Sequence, residues 1–272
     1  MAEDIKVGVV GCTGRMGQMI VTLVTEADGC VVAGASEYPG HPMVGRDAGE
    51  VAGLDKLGVA ILADAAEMIA GVDVVVDFTI PEACVEHAKL AAQAGAAMVI
   101  GTTGLSKEQA GVLEAAARHV PIVWAPNMSV GVTLLLALSE QVAGLLGPDD
   151  YDAEIVEMHH RHKIDAPSGT ALGLGRAVAA GRGVDLDTVY KAARDGHTGA
   201  RPRGEIGFAV LRGGDVVGEH SVIFAGDGEQ VVLTHKAGSR RVFGAGALRA
   251  AQWTQGQPAG LYSMKNVLGF NN

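Results

Sequence analysis

The chain has 272 residues, of which 48% are apolar and 19% charged, and a formal net charge of -10, a globular balance long enough for one large core or two modest ones. That negative charge and an aromatic content of 4% argue against a nucleic-acid scaffold, which needs a basic stripe and stacking platforms. Cys12, Cys30 and Cys84 are scattered without Cys-x-x-Cys spacing, so neither a disulfide framework nor a zinc ribbon is expected, and a reducing cytoplasm fits.

The opening residues, Met1 to Lys6, show no basic region followed by an apolar stretch, and no window approaches a charge-free span of roughly 18 residues. The expectation is an untargeted cytoplasmic protein whose partners are small molecules, with no nucleic acid and no membrane. Residues 5–10 form a short apolar run, glycines follow, and Met16, Met19, Ile20, Leu23 and Val24 recur at helical spacing. That order predicts strand, tight turn, helix. Further apolar strands are predicted at 31–35, 72–78, 98–100 and 121–125, with Ala-rich helices over 82–94 and 107–119. Such alternation implies right-handed crossovers and a parallel sheet. Beyond a long apolar stretch at 130–146 the pattern changes. A strand is predicted over 153–158, a helix over 170–180, and a polar loop over 195–204. Short β-like runs at 206–211, 216–224 and 230–234 are separated by Gly-Gly-Asp and Gly-Asp-Gly turns, which predicts a mostly antiparallel or mixed sheet. An Ala-rich helix over 243–253 is expected to pack back on the first domain. The fold class is therefore α/β, a parallel sheet domain plus a smaller α+β domain.

Three segments and one acidic residue of the first part suit a dinucleotide. Gly11, Cys12, Thr13, Gly14, Arg15, Met16 and Gly17 lie between the first strand and first helix, where a pyrophosphate sits in a mononucleotide-binding turn. The spacing is G-x-x-G-x-x-G rather than the commoner G-x-G-x-x-G, and a purely structural turn is the competing reading. Glu37 follows the second strand, in the place of an acid that accepts from adenine-ribose hydroxyls; its blander reading is a solvated loop residue. Gly101, Thr102 and Thr103, and Ala125, Pro126, Asn127 and Met128, end two later strands, where they suit a nicotinamide ring and ribose or, equally, plain turns.

The segment from Glu154 to Ala171 carries His159, His160, Arg161, His162 and Lys163 just before Ser168, Gly169 and Thr170 open a helix. Fixed charge, imidazoles and helix N-terminal amides together form a trap for a small dianion. If the strand continues, Glu157, His159, Arg161 and Lys163 share one face, and Val156, Met158, His160 and His162 the other. His159 and Lys163 then point together, and His160 and His162 read as structural or supporting groups. A metal site is a rival reading, weakened because adjacent strand positions diverge. A nucleophilic Ser168 is another, weakened because it lacks a G-x-S-x-G elbow.

The chain resembles the 4-hydroxy-tetrahydrodipicolinate reductases of lysine biosynthesis along essentially its whole length. The matching segments are Val10 to Gly17, Asp77-Phe78-Thr79, Gly101 to Gly104, Ala125 to Val132, Glu154 to Ala171, Leu211 to Gly214, Val217 to His220, Leu233 to Ala237 and Ser239 to Phe243. His-His-x-x-Lys-x-Asp-Ala-Pro-Ser-Gly-Thr-Ala is the most specific of them. The resemblance implies a Rossmann-like dinucleotide-binding domain from 1–130 and 241–272, and a substrate-binding and tetramerisation domain from 131–240. It implies reduction, with loss of water, of the cyclic intermediate made from pyruvate and aspartate semialdehyde, using NADH or NADPH and no metal. His159 and Lys163 are then catalytic, and His160, Lys163, Ser168, Gly169 and Thr170 bind substrate. Arg240 matches a family arginine near the dinucleotide or hinge. Where NADPH-favouring members often carry arginine after the acid, this chain has Tyr38, which points to NADH. Ser263 and Asn266 stand where acidic residues are common, a difference that touches packing more than chemistry. The competing classes are a dinucleotide sensor with a relic pocket and a reductase for a different small dicarboxylate.

Overall fold

The computed structural model describes residues 3–270. In chain order the elements are β1 (Ile5–Val10), α1 (Arg15–Glu26), β2 (Cys30–Ser36), α2 (Ala48–Val51), β3 (Ile61–Leu62), α3 (Ala65–Ile69), β4 (Val74–Asp77), α4 (Pro81–Ala94), β5 (Ala97–Ile100), α5 (Lys107–Ala116), β6 (Pro121–Trp124) and α6 (Val130–Leu145). There follow β7 (Asp152–His159), α7 (Gly169–Gly181), α8 (Leu186–Val189), β8 (Tyr190–Lys191), β9 (Ile206–Arg212), β10 (Gly218–Gly226), β11 (Glu229–Ala237), α9 (Arg241–Thr254), β12 (Gly260–Tyr262) and α10 (Met264–Val267). They form two compact units, Met1–Val130 with Arg241–Asn272, and Gly131–Arg240.

The first unit is built on a parallel sheet of order β12-β6-β5-β4-β1-β2-β3. Its central strands read as unbroken apolar runs because both faces are covered. On one face Val7, Val9, Val74 and Val76 pack with Ile20 and Val24 of α1 and Ala247 and Ala251 of α9. On the other, Val75, Met98, Ile100 and Ile122 pack with Ala88 of α4 and Leu113 of α5. Each fully buried side chain of that size contributes about 1.5–3 kcal/mol. Local signals set the helix ends: Pro81 opens α4, Gly95 closes it at φ 73°, and Ser106 with Gln109 forms a capping box on α5. Strand order reverses between β1 and β4, so their carboxyl ends flank a crevice.

Between β2 and β4 lie α2, β3 and α3, which are too short to show periodicity in the sequence. A buried carboxylate organises the first of them. Asp47 accepts the amides of Gly49, Glu50, Leu57, Gly58 and Val59 at 2.7–3.3 Å. The C-terminal strand β12 also escapes sequence reading, since three residues joined to β6 gain their identity only from that pairing.

The second unit holds a mixed sheet of order β11-β10-β7-β9-β8. β10 runs antiparallel to β7 and β11, whereas β7–β9 and β9–β8 are parallel. The parallel pairing follows from the long return through α7 and α8, which brings β9 back in the direction of β7. Ala153, Ile155, Glu157 and His159 of β7 are buried on one face, and Leu135 of α6 and Leu174 and Val178 of α7 complete the core against Ile155, Phe208, Val222 and Phe224. The opposite face leaves Leu211 and Val232 about half exposed, with Ile223 and Val156 between them in the ladder. Among the described residues, no helix is long and apolar enough to cross a membrane.

Candidate active site

In the first unit a cleft of about 640 Å³ opens beside the carboxyl ends of β1, β2 and β4, with Gly11, Thr13, Gly14 and Glu37 in its lining. Gly11 adopts φ +63°, and a side chain on Gly17 would strike the Gly11 carbonyl and the Cys12 backbone. The turn therefore lies flat on α1, and Gly14, the N-cap residue, supplies no side-chain bond to the first amides of this helix. Those amides and the positive end of the helix fit a pyrophosphate. Glu37 accepts from the Thr13 hydroxyl at 2.7 Å and from the Tyr38 amide at 3.2 Å.

The glycine turn and acid thus share one cleft, but other dinucleotide candidates have different surroundings. Cys12 is buried beneath the turn, and burial, with the charge of Glu37, pushes its thiol up to about 12. Arg15 is exposed and Met16 half-buried at the start of α1. Gly101 to Thr103 and Ala125 to Met128 follow β5 and β6 at the same edge of the sheet, outside the large cleft. Thr102 and Met128 are buried, Thr103 and Pro126 exposed, and Asn127 Oδ1 accepts the Ser129 amide at 2.9 Å. Arg240 is exposed immediately before α9.

Asp77, at the end of β4, has a role that the sequence reading did not assign. It is fully buried and receives the Thr79 amide and hydroxyl, each at 2.7 Å, the Thr102 hydroxyl at 3.1 Å, and His87 Nδ1 at 2.8 Å. One carboxylate therefore ties the cleft-lining loop at Thr79 to α4 and to the residue after Gly101. The Asp-Phe-Thr segment is the only sequence signal for it, and its partners are 10 and 25 residues away.

In the second unit β7 ends at His159, so the alternation expected as far as Lys163 stops there. The Gly213 amide bonds to the His159 carbonyl, and the chain then turns, with the Arg161 amide on the Gly214 carbonyl and the Lys163 amide on the His160 carbonyl. Period-two facing does not extend to His160, His162 or Lys163. His159 instead lies inward with Glu157, whose carboxylate holds His159 Nδ1. Arg212 grips Glu157 from β9, and the Ser168 amide donates to it at 3.0 Å.

Burial works to raise the Glu157 pKa, but Arg212, the Ser168 amide and His159 hold it below the usual carboxylate range. For His159 burial is the largest influence and lowers the pKa, against the opposing pull of Glu157. His220 stacks edge-on to His159 with ring centroids 5.0 Å apart, and its Nε2 lies 3.2 Å from the Ser168 hydroxyl. Burial and the neighbouring His159 push His220 down to about 4. A side chain at Gly218 would come to 3.0 Å from His159 Nε2, so glycine there keeps that nitrogen clear.

Lys163 donates to Asp165 at 2.8 Å, and that bond first of all lowers the Asp165 pKa. His160 Nδ1 is buried without a hydrogen-bond partner among the described residues. Ser168 caps α7 through its hydroxyl, which accepts the Ala171 amide, and its own amide is committed to Glu157. Gly169 and Thr170 then begin the helix. Glu157, Arg212 and His220 were the residues that sequence reasoning left without a role.

Glu157, His159 and His220 place three ligand-type atoms within 4.8 Å of one another. Both oxygens of Glu157 are already engaged by a guanidinium, an amide and an imidazole. A cation there would displace Arg212 or sit against it, so the cluster reads as a hydrogen-bonded dyad that positions an imidazole.

Comparison with known proteins matches residues 5–128 to the family model described as dihydrodipicolinate reductase, N-terminus, and residues 131–268 to dihydrodipicolinate reductase, C-terminus. Two relatives named 4-hydroxy-tetrahydrodipicolinate reductase are those of Magnetococcus marinus, 52% identical over 98% of this chain and 99% of its own, and Ruegeria pomeroyi, 55% identical over 96% and 97%. A solved structure of dipicolinate-bound dihydrodipicolinate reductase from Paenisporosarcina sp. TG-14 superposes with a TM-score of 0.77 at 25% identity, over 97% of this chain and 99% of that one.

Proposed function

This chain belongs to the dihydrodipicolinate reductase family, and we propose that its two units divide the labour, the first holding the dinucleotide and the second the substrate. The protein is a pyridine-nucleotide-dependent oxidoreductase that reduces 4-hydroxy-tetrahydrodipicolinate to tetrahydrodipicolinate in lysine and diaminopimelate biosynthesis. Gly11 and Glu37 line the cleft that would hold the nicotinamide cofactor, whose chemistry when bound would be hydride donation.

The observation that carries the site assignment is the inward-facing His159, fixed at Nδ1 by Glu157 and kept clear at Nε2 by Gly218. A carboxylate acceptor places the proton on Nδ1, so Nε2 is the atom that can exchange a proton with a ligand when the ring is charged. His159 is the proton donor in this reading. Lys163 holds a substrate carboxylate by exchanging one carboxylate partner for another, since Asp165 already occupies its ammonium. In the same reading the Gly169 and Thr170 end of α7, and His160, whose Nδ1 has no hydrogen-bond partner among the described residues, hold the rest of the dianion. Such preorganised positive charge orients the ring and stabilises charge developing on it.

Tyr38 beside Glu37 favours NADH, because no guanidinium follows the acid to receive a 2′-phosphate. The outward face of the mixed sheet, with Leu211, Val232 and Ile223, favours assembly into a homotetramer through the second unit. Buried free thiols at Cys12, Cys30 and Cys84 suit a reducing cytoplasm.

The test is loss of absorbance at 340 nm with purified protein, pyruvate, aspartate semialdehyde and the upstream synthase, run separately with NADH and NADPH. Oxidation that requires the synthase supports the reading. Dinucleotide binding without any oxidation would instead favour the sensor or a different dicarboxylate.

A further inference from the structure

We propose that His41 sets which dinucleotide the cleft accepts, by holding Thr13 and Glu37 as an uncharged-hydroxyl reader at the ribose 2′ position. The inference rests on the dinucleotide reading of the first unit. His41 lies between β2 and α2, is half-buried, and lines the cleft with Thr13, Glu37 and Tyr38.

The Met43 amide donates to His41 Nδ1 at 3.2 Å, which leaves Nδ1 as an acceptor and places the ring proton on Nε2. Nε2 faces the Thr13 hydroxyl at 3.4 Å, and that hydroxyl donates to Glu37 Oε2 at 2.7 Å. The donors therefore run in one direction, from His41 to Thr13 to Glu37. The Tyr38 amide donates to Glu37 Oε1 at 3.2 Å, and the Tyr38 ring stands edge-on to His41 at 5.0 Å and 86°. Glu37 is thus presented as a fixed acceptor, the form that receives a vicinal diol.

A 2′-phosphate meets the opposite conditions. Its charge would face the Glu37 carboxylate, the residue after the acid is Tyr38, and the one His41 nitrogen on that side, Nε2, is already turned to the Thr13 hydroxyl. The nearby cation, Arg46, shares with Thr13, His41 and Glu50 the lining of an adjoining cleft of about 400 Å³, where Glu50 offsets its charge and its Nη1 is turned to Met43 Sδ at 3.5 Å. The selectivity is therefore carried by an imidazole four residues beyond the acid as well as by the position directly after it.

The experiment is calorimetric titration of the full chain with NAD+ and NADP+, for the unaltered protein, His41→Ala and His41→Arg, with circular dichroism to establish folding. Long-range 15N–1H correlations on the unaltered protein report the His41 tautomer. The expected result is an Nε2-protonated ring, a Kd for NAD+ raised about fivefold or more in His41→Ala with little change for NADP+, and a Kd for NADP+ lowered about tenfold in His41→Arg. An Nδ1-protonated ring, or an unchanged NAD+ to NADP+ ratio in either folded variant, overturns the role of His41 while the dinucleotide reading stands. Unaltered protein that binds neither dinucleotide overturns that reading and the inference with it.

Discussion

Arg212 closes a two-pronged ion pair on Glu157, with Nη1 2.9 Å from one carboxylate oxygen and Nη2 3.0 Å from the other. The same carboxylate orients His159, so a residue on β9 controls an imidazole on β7 through a buried acid. Glu157→Gln should lower kcat by about tenfold or more, because an amide cannot favour one protonation state of His159 as a carboxylate does. It should also destabilise the protein by up to about 3 kcal/mol, since Arg212 loses its charged partner. Steady-state kinetics and urea unfolding measure the two effects. Unaltered kcat in the folded variant would remove Glu157 from the positioning of His159.

Stability should fall as pH drops from 7 towards 4, because His220 resists protonation in the folded state. Its folded pKa of about 4 lies below the ordinary 6.5, so the unfolded chain binds the proton first. The loss begins below 6.5 and is complete near 4, at about 3 kcal/mol or less. His159, lowered in the same direction, adds to it. Urea midpoints at pH 7.5, 6 and 5 should decline in the parent protein and decline less in His220→Gln.

Lys163→Ala should reduce kcat/KM by about tenfold or more while leaving dinucleotide affinity nearly unchanged, since Lys163 pairs with Asp165 within the second unit. Normal turnover in that variant would take Lys163 out of the site.

Gly17→Ala should weaken dinucleotide binding and cost about 1–3 kcal/mol of stability, because the added methyl meets the backbone of Gly11 and Cys12, which has no room to yield. Dinucleotide titration and thermal unfolding provide the check. A variant with parental affinity would show that the turn adjusts without moving the phosphate cradle.

The sequence determined by itself what short-range physics controls. Apolar runs, buried on both faces in the fold, announced β1, β4, β5 and β6, and Ala-rich periodic stretches announced α4 and α5, which Pro81 and Ser106 open and, for α4, Gly95 closes. The dense His-His-Arg-His-Lys segment marked the second unit's candidate site because such a cluster is rare in an acidic chain. Only the tertiary structure decided which of those groups meet. The strand stops at His159, so alternation could not place His160, His162 or Lys163. Glu157 became the partner of His159 because Arg212, 55 residues later, and the Ser168 amide bring donors that make a buried carboxylate tolerable. Asp77 and Asp47 follow the same rule, Asp77 drawing on the side chains of His87 and Thr102 from later segments and Asp47 on the irregular backbone at Leu57, Gly58 and Val59, none of which has a periodic signature. Burial pattern is encoded locally because every residue carries its own hydrophobicity. The pairing of a buried charge is a property of several segments at once, and it exists only when the fold has brought them together.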